Sequence, residues 1–219
     1  MGREQATRII EILEKAGFPA YFVGGCVRDT LLGREPEDWD IASAARPEQV
    51  MALFCADALP TGCKHGTVTV KSGGEAFEVT TFRTDGRYSD GRHPDQVTFA
   101  GSIREDLARR DFTINAMAYN PRKGLVDLFE GQKDLENKVI RCVGDPLERF
   151  TEDALRIMRA VRFSAQLGFS LEEETRKALS VLAPNLKHVS AERIQVELVK
   201  LLVSPHPDYL RIAYEAGVT

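Results

Sequence analysis

Asp38 and Asp40 flank Trp39 in a segment that reads as a β-strand over Trp39–Ala42. Side chains two apart on a strand project from one face, so both carboxylates point together while Trp39 turns into the core. Two like charges that close repel unless a cation holds them, and Mg²⁺ with its oxygen ligands suits such a pair. Alone the element is weak, because so short a pattern is more often a solvated acidic turn. Its surroundings strengthen it. Upstream lies Gly24-Gly25-Cys26-Val27-Arg28-Asp29, a strand running into a glycine pair and then a short helix. Gly24 and Gly25 would let backbone amides approach a phosphate, and the helix N-terminus adds partial positive charge. Arg28 on the first turn can add a bidentate phosphate contact. A third carboxylate would complete a two-metal site. Glu78, on the predicted strand 76–82, is the best placed, because adjacent strands can bring it beside Asp38 and Asp40. The plain alternative is an ordinary exposed strand residue.

Two groups of arginines follow. Arg104, Arg109 and Arg110 cluster on a helix predicted around 103–118, with Asp111 and Asn115 just beyond. A cationic helix end beside an Asp/Asn pair suits a triphosphate and a ribose. The competing reading is a solvated basic face bridged to Glu105 and Asp106. Arg156, Arg159 and Arg162 recur at a spacing of three, with Asp153 three residues before them. On a 3.6-residue helix such steps make one slanted stripe. Leu155, Ile157, Met158, Val161 and Phe163 take the packed positions. On an acidic chain, a stripe of this kind fits a polyanion better than bare solvent.

The elements that must carry these residues fall into two parts. The chain has 219 residues, 43% of them hydrophobic, enough for one large or two small domains. Helices are predicted over 3–16, 26–32 and 47–56, and strands over 21–23, 39–42, 67–71 and 76–82. Ser72-Gly73-Gly74 is a hairpin turn by composition. Residues 84–96 are polar and read as a mobile loop, and 125–129 as a strand. From Leu147 the pattern is helical, in segments 151–167, 171–182 and 190–203. The composition thus changes from α/β to all-α, dividing the chain into a head over 1–140 and a helical region over 141–219. Asp208–Gly217 keeps a helical pattern whose apolar residues have little left to pack on, which suggests a neighbouring domain is missing.

The net charge of −4 supplies no global field for nucleic acid, so any such site must be local. The four cysteines form no CxxC pair, and Cys63 with His65 lacks a second pair for zinc, so the thiols read as reduced. The N-terminus has no signal-peptide core, Ala6 stands where myristoylation needs Ser or Thr, and no apolar run approaches about 18 residues. A cytoplasmic protein is expected.

Three long segments carry a resemblance. YFVGGCVRDTLLGREPEDWDIA, RRDFTINAMAYN (Arg109–Asn120) and EDALRIMRAVRFSAQLGF (Glu152–Phe169) resemble, in order, signatures of the class II tRNA nucleotidyltransferase and bacterial poly(A) polymerase family, within the polymerase-β-like nucleotidyltransferases. The likeness covers about residues 18–200. It implies an α/β (α+β) nucleotidyltransferase head with a mixed sheet, then an all-α neck, with body and tail domains absent from this chain. Asp38 and Asp40 would hold two Mg²⁺ ions. Arg109 would bind the triphosphate, and Asp111 and Asn115 would order the site or touch the sugar. Asp153, Arg156, Arg159 and Arg162 would form the incoming nucleotide's pocket. The implied substrates are ATP and CTP, the implied partner is the tRNA 3′ acceptor end, and the implied reaction is CCA addition with release of pyrophosphate. A-only addition, CC-only addition and poly(A) synthesis share these motifs. The loop 84–96, with Arg87, Tyr88, Arg92, His93 and Pro94, reads as full-length and favours CCA or A addition over CC addition. A non-catalytic nucleotide- or RNA-binding module is the rival from another class, and the intact carboxylate pair speaks against it.

Overall fold

The computed structural model describes residues 2–85 and 97–218. Most of the loop expected over 84–96 therefore lies outside the described residues. The chain divides into two compact units, the first comprising residues up to Asp85, then up to Arg110 and Asn115–Gly131, the second Asp111–Ile114 and the chain from Gln132 onward.

In the first unit, α1 (Gly2–Lys15) buries Ala6, Ile9, Ile10 and Leu13, the stripe its apolar spacing predicts. It is followed by β1 (Ala20–Val23), α2 (Gly25–Leu31), β2 (Ile41–Ser43), α3 (Pro47–Phe54), β3 (Ala58–Gly62), β4 (Thr67–Ser72) and β5 (Glu75–Thr81). A small hairpin of β6 (Arg83–Asp85) and β7 (Val97–Phe99) leads to α4 (Ile103–Ala108), β8 (Met117–Asn120) and β9 (Gly124–Asp127). Seven strands form one mixed sheet in the order β3-β4-β5-β2-β1-β8-β9, in which β2 and β5 are parallel and the other neighbours antiparallel. Val23, Ala42, Phe82, Leu107 and Ala118 cluster in its core. The turn between β4 and β5 carries Gly73 at φ 61° and Gly74 at φ 84°, left-handed conformations that a tight hairpin requires.

Several elements differ from the sequence expectation. The helix predicted over 103–118 ends at Ala108, and Met117–Asn120 is a strand between β1 and β9. Ala-Met-Ala favours helix locally, but Met117 and Ala118 are fully buried in the sheet, so tertiary pairing overrides propensity. β2 starts at Ile41, so Asp38–Asp40 is the extended lead-in to the strand rather than part of it. β3 was not legible because it is an edge strand carrying Pro60, with Leu59 exposed and no alternation.

The second unit contains α5 from Gln132 on (Gly131–Glu136), a short parallel pair of β10 (Val139–Ile140) and β11 (Ser170–Leu171), and α6 (Pro146–Glu152), α7 (Leu155–Leu167), α8 (Glu173–Leu182), α9 (Ala191–Leu202) and α10 (Leu210–Glu215). α7 packs on α9 and α6 on α8, around Phe112, Phe150, Ile157, Val161, Leu179 and Leu201. The helix expected over 151–167 is broken at Asp153, whose backbone is extended at φ −144°, ψ 104°. Gly168, left-handed at φ 70°, ends α7. Among the described residues no helix is long and apolar enough to cross a membrane.

Candidate functional site

β1 delivers the chain to Gly24, which sits at φ 73°, ψ −133°, a backbone region that side-chain-bearing residues avoid. A Cβ there would also lie 3.0 Å from Nη1 of Arg110, so glycine is required twice over. Gly25 opens α2. Arg28, on its first turn, donates from Nε and Nη2 to Asp29 at 2.9 Å each and from Nη1 to Asn115 Oδ1 at 2.8 Å. Arg28 and Asn115 are thus brought together, with part of the guanidinium already engaged by Asp29.

The Val23 N–H donates to the Asp40 carbonyl at 3.1 Å, which fixes Asp40 at the end of β1. Ile41 pairs with Val79 in the parallel register, and both are buried. The preceding residues, Asp40 in the lead-in to β2 and Glu78 on β5, therefore fall on the opposite face from Ile41 and Val79. Trp39 turns the other way and meets Phe22 edge-on, with ring centroids 4.9 Å apart. Crowding around the Asp40 carboxyl pushes its pKa up first, the charges of Glu78 and Asp38 push it further, and Arg110 opposes them. The residue as a whole stays exposed, so this is one-sided crowding rather than full burial. Below it, burial and then the Asp40 charge push the Cys26 thiol up to about 11, leaving it neutral.

Among the described residues no group of three or more His, Cys, Asp or Glu side chains is arranged to hold a metal. Mg²⁺ at phosphoryl-transfer sites uses one or two carboxylates and fills its other positions with water and substrate phosphate. Asp38 and Asp40, exposed and mutually repelling, fit that donor set.

Asp106, fully buried, receives Arg109 through Nε and Nη2 at 3.1 and 2.8 Å and Arg110 through Nη2 at 3.0 Å. Burial works against its charged form, and Arg110 and Arg109 overcome that and hold its pKa below the usual carboxylate range. The basic face is therefore anchored, not solvated, although Arg104 stays exposed. The Nε of Arg110 is buried without a hydrogen-bond partner among the described residues. Arg110, over Gly24 and opposing the Asp40 cluster, was read from the sequence only as one of the arginines of a cationic helix end, without a role of its own. Its position four residues after Asp106 on one helical face was the available signal.

In the second unit two of the three arginines are buried and Arg159 is half-buried, contrary to an open stripe. Arg156 and Arg162 are 9% and 7% exposed. Arg156 binds Glu152 and the Arg149 carbonyl, and Arg159 binds Asp111. Arg162 binds Glu197 and Gln166, its cation 4.0 Å from the centre of the Phe163 ring. Asp153 is not on the arginines' helix. It caps the break, accepting from the Leu155 N–H at 3.0 Å, and pairs with Arg193 instead of Arg156. Arg193, Glu197 and Glu152 were missed as partners; the first two stand one turn apart on α9.

A mixed sheet that sets a glycine-opened helix beside an acidic pair defines a nucleotidyltransferase head. Residues 20–141 match the Poly A polymerase head domain, and 168–219 match the probable RNA and SrmB-binding site of polymerase A. The chain belongs to this family of class II tRNA nucleotidyltransferases and poly(A) polymerases. It is 55% identical to the CCA-adding enzyme of Lactobacillus helveticus over 202 residues, covering 92% of this chain and 50% of that protein. To the CCA-adding enzyme of Geobacillus thermodenitrificans it is 54% identical over 217 residues, 99% of this chain and 54% of the other. The crystal structure of Bacillus stearothermophilus CCA-adding enzyme in complex with CTP matches with a TM-score of 0.91 and 46% identity, over 99% of this chain and 52% of that one. Thermotoga maritima CCA-adding enzyme complexed with tRNA_CCA matches at 0.80 and 29% identity, over 98% of this chain and 50% of that one. The chain spans about half the length of these relatives.

Proposed function

We propose that this chain is the nucleotide-adding part of a CCA-adding enzyme, joining C and A to the 3′ end of tRNA without a nucleic-acid template, in the cytoplasm. The observation that carries the reading is the crowding of Asp40 by Glu78 and Asp38, opposite the Gly24 turn and Arg110. The names of the relatives, and their capture with CTP and tRNA_CCA, support it.

Asp38 and Asp40 would hold Mg²⁺. Bound there, two ions would lower the pKa of the RNA 3′-hydroxyl and neutralise the triphosphate. The backbone of Gly24 and Gly25, with Arg28, would cradle phosphate oxygens, and Arg109 would add charge to the triphosphate. The 3′ oxygen attacks the α-phosphorus, the bond from that phosphorus to the bridging oxygen of the β-phosphate breaks, and pyrophosphate leaves. Positioning and electrostatics supply most of the rate in such transfers. Asn115, steadied by Arg28, would meet the sugar, and Asp111 would order the site. In the second unit, Asp153 and Arg156 would read the base, with Arg159 and Arg162 supporting the row.

Incubation of the chain with Mg²⁺, tRNA lacking CCA, and each labelled nucleoside triphosphate tests this. The expected result is incorporation of C and A but not U or G, stopping at CCA. Long A tails from ATP alone would assign poly(A) synthesis instead, and A addition without C addition would assign an A-adding enzyme.

A further inference from the structure

Beside Trp39, on the sheet face of Phe22 and Ile41 and away from Asp40 and Glu78, the first unit leaves a cavity of about 200 Å³. Its floor is one row of side chains across three adjacent strands. Phe22 on β1 pairs with Tyr119 on β8, and Tyr119 pairs with Leu125 on β9. Paired residues of antiparallel strands project from the same face, so the row is continuous. Val27 and Leu31, one turn apart on α2, add apolar surface from the helix side. Arg3, in the first turn of α1, supplies the charge. Its guanidinium carbon lies 5.8 Å from the centre of the Trp39 ring, and among the described residues it has no ion pair and no hydrogen bond. Glu75, which with Trp39 crowds Gly2, does not line the cavity.

We propose that this cavity is a binding site for a small aromatic carboxylate, its ring against Trp39, Tyr119 and Leu125 and its carboxylate on Arg3. Size sets the ring count. An apolar cavity of about 150 Å³ holds one benzene ring, so this one takes a single ring with a small substituent. Apolar walls reject a bare anion, because nothing along them replaces its water. The guanidinium selects the sign of the substituent. Its N–H groups, unused by the protein, form strong bonds to a carboxylate, while its face keeps the contact with the indole. The N-terminus of α1, a helix of 14 residues, adds partial positive charge at the same end. A neutral or cationic ring leaves that charge unmatched. Among the described residues neither the Gly24 turn nor the carboxylates of Asp38 and Asp40 line the cavity, so the site is distinct from the one proposed for the nucleotide.

Trp39 is the chain's one tryptophan, so its fluorescence reports on the cavity directly. The test titrates the intact chain with benzoate, benzyl alcohol, benzylammonium and acetate, in wild type, Arg3→Gln and Arg3→Glu. In wild type benzoate should quench Trp39 saturably with a midpoint of about 1 mM, the scale for a one-ring ligand. Benzyl alcohol should bind about 2-fold to 5-fold more weakly, the worth of an exposed ion pair. Benzylammonium should bind more weakly again, and acetate not at all. Saturating CTP with Mg²⁺ should leave the benzoate midpoint unchanged. Arg3→Gln should bring benzoate down to the level of benzyl alcohol, and Arg3→Glu should put benzylammonium ahead of benzoate. Arg3 is exposed, so both variants should keep the wild-type melt. Quenching that rises without saturating, or displacement of benzoate by CTP, overturns the proposal. So does equal binding of benzoate and benzylammonium in wild type, which needs no variant, or an unchanged order of ligands in Arg3→Glu.

Discussion

Arg159 grips a single oxygen of Asp111 twice, Nε to Oδ2 at 2.9 Å and Nη2 to Oδ2 at 2.7 Å, while the other oxygen, Oδ1, accepts the Phe112 N–H at 2.8 Å. Burial at 8% exposure disfavours this carboxylate, and the charge and hydrogen bonds of Arg159, then Arg156, overcome the penalty and hold its pKa down at about 2. The folded state thus binds the Asp111 proton less readily than the unfolded chain does.

The sign follows directly. A depressed folded-state pKa contributes stability that is present above the ordinary value of 3.8 and is lost as pH falls through about 2. The contribution is about 2 kcal/mol at neutral pH. Urea melts taken from neutral pH down to about pH 2 should show this acid limb in wild type, and Asp111→Asn should flatten it. An equally steep limb in Asp111→Asn would mean that other carboxylates carry the acid sensitivity.

Gly24→Ala should do two things. Its φ of 73° forces a side-chain-bearing residue into strain worth about 1–2 kcal/mol, and the new Cβ must displace Arg110, 3.0 Å away. Thermal melts should register the strain. Calorimetry should show CTP and ATP weakened together, because the proposed contact lies at the phosphates and not at the base. A change in C-against-A preference would contradict that placement.

Asp40→Ala should abolish nucleotide addition and leave the fold intact. An exposed carboxylate crowded by Glu78 and Asp38 contributes little to folding, so the change in stability should stay within about 0.5 kcal/mol. Turnover near wild type with Mg²⁺ present would contradict the assignment of Asp40 to the metal.

The sequence revealed the parts of this arrangement that depend on local spacing. The Gly24-Gly25 turn, the Gly73-Gly74 hairpin and the buried stripe of α1 are each specified by neighbours a few residues away. Strand adjacency could be argued for Glu78 because β4 and β5 alternate, with Phe77 and Val79 buried on either side of it. What was hidden depends on distant partners. Met117 and Ala118 read as helix until β1 and β9 flank them. The apolar spacing runs through Asp153 without interruption, and the break is visible only where Arg193, forty residues away in sequence, takes the carboxylate. A row of three arginines looks the same in sequence whether open or buried, and Glu152, Asp111 and Glu197 decide it. Arg110 could be grouped with Arg109 from spacing alone, but only the fold sets it above Gly24.

The central claim is that protein side chains, not a nucleic acid, choose the base. Its most direct test is competition among the four nucleoside triphosphates for addition to tRNA lacking CCA, comparing wild type with Asp153→Ala. On the proposed reading, the Asp153 carboxylate would accept from the amino group of C and A and Arg156 would donate to the ring nitrogen, leaving U and G unpaired, and such sites discriminate by about 10⁴ in favourable cases. Asp153→Ala should therefore cripple C and A incorporation and let UTP or GTP compete. An unchanged preference for C and A in that variant would contradict the account.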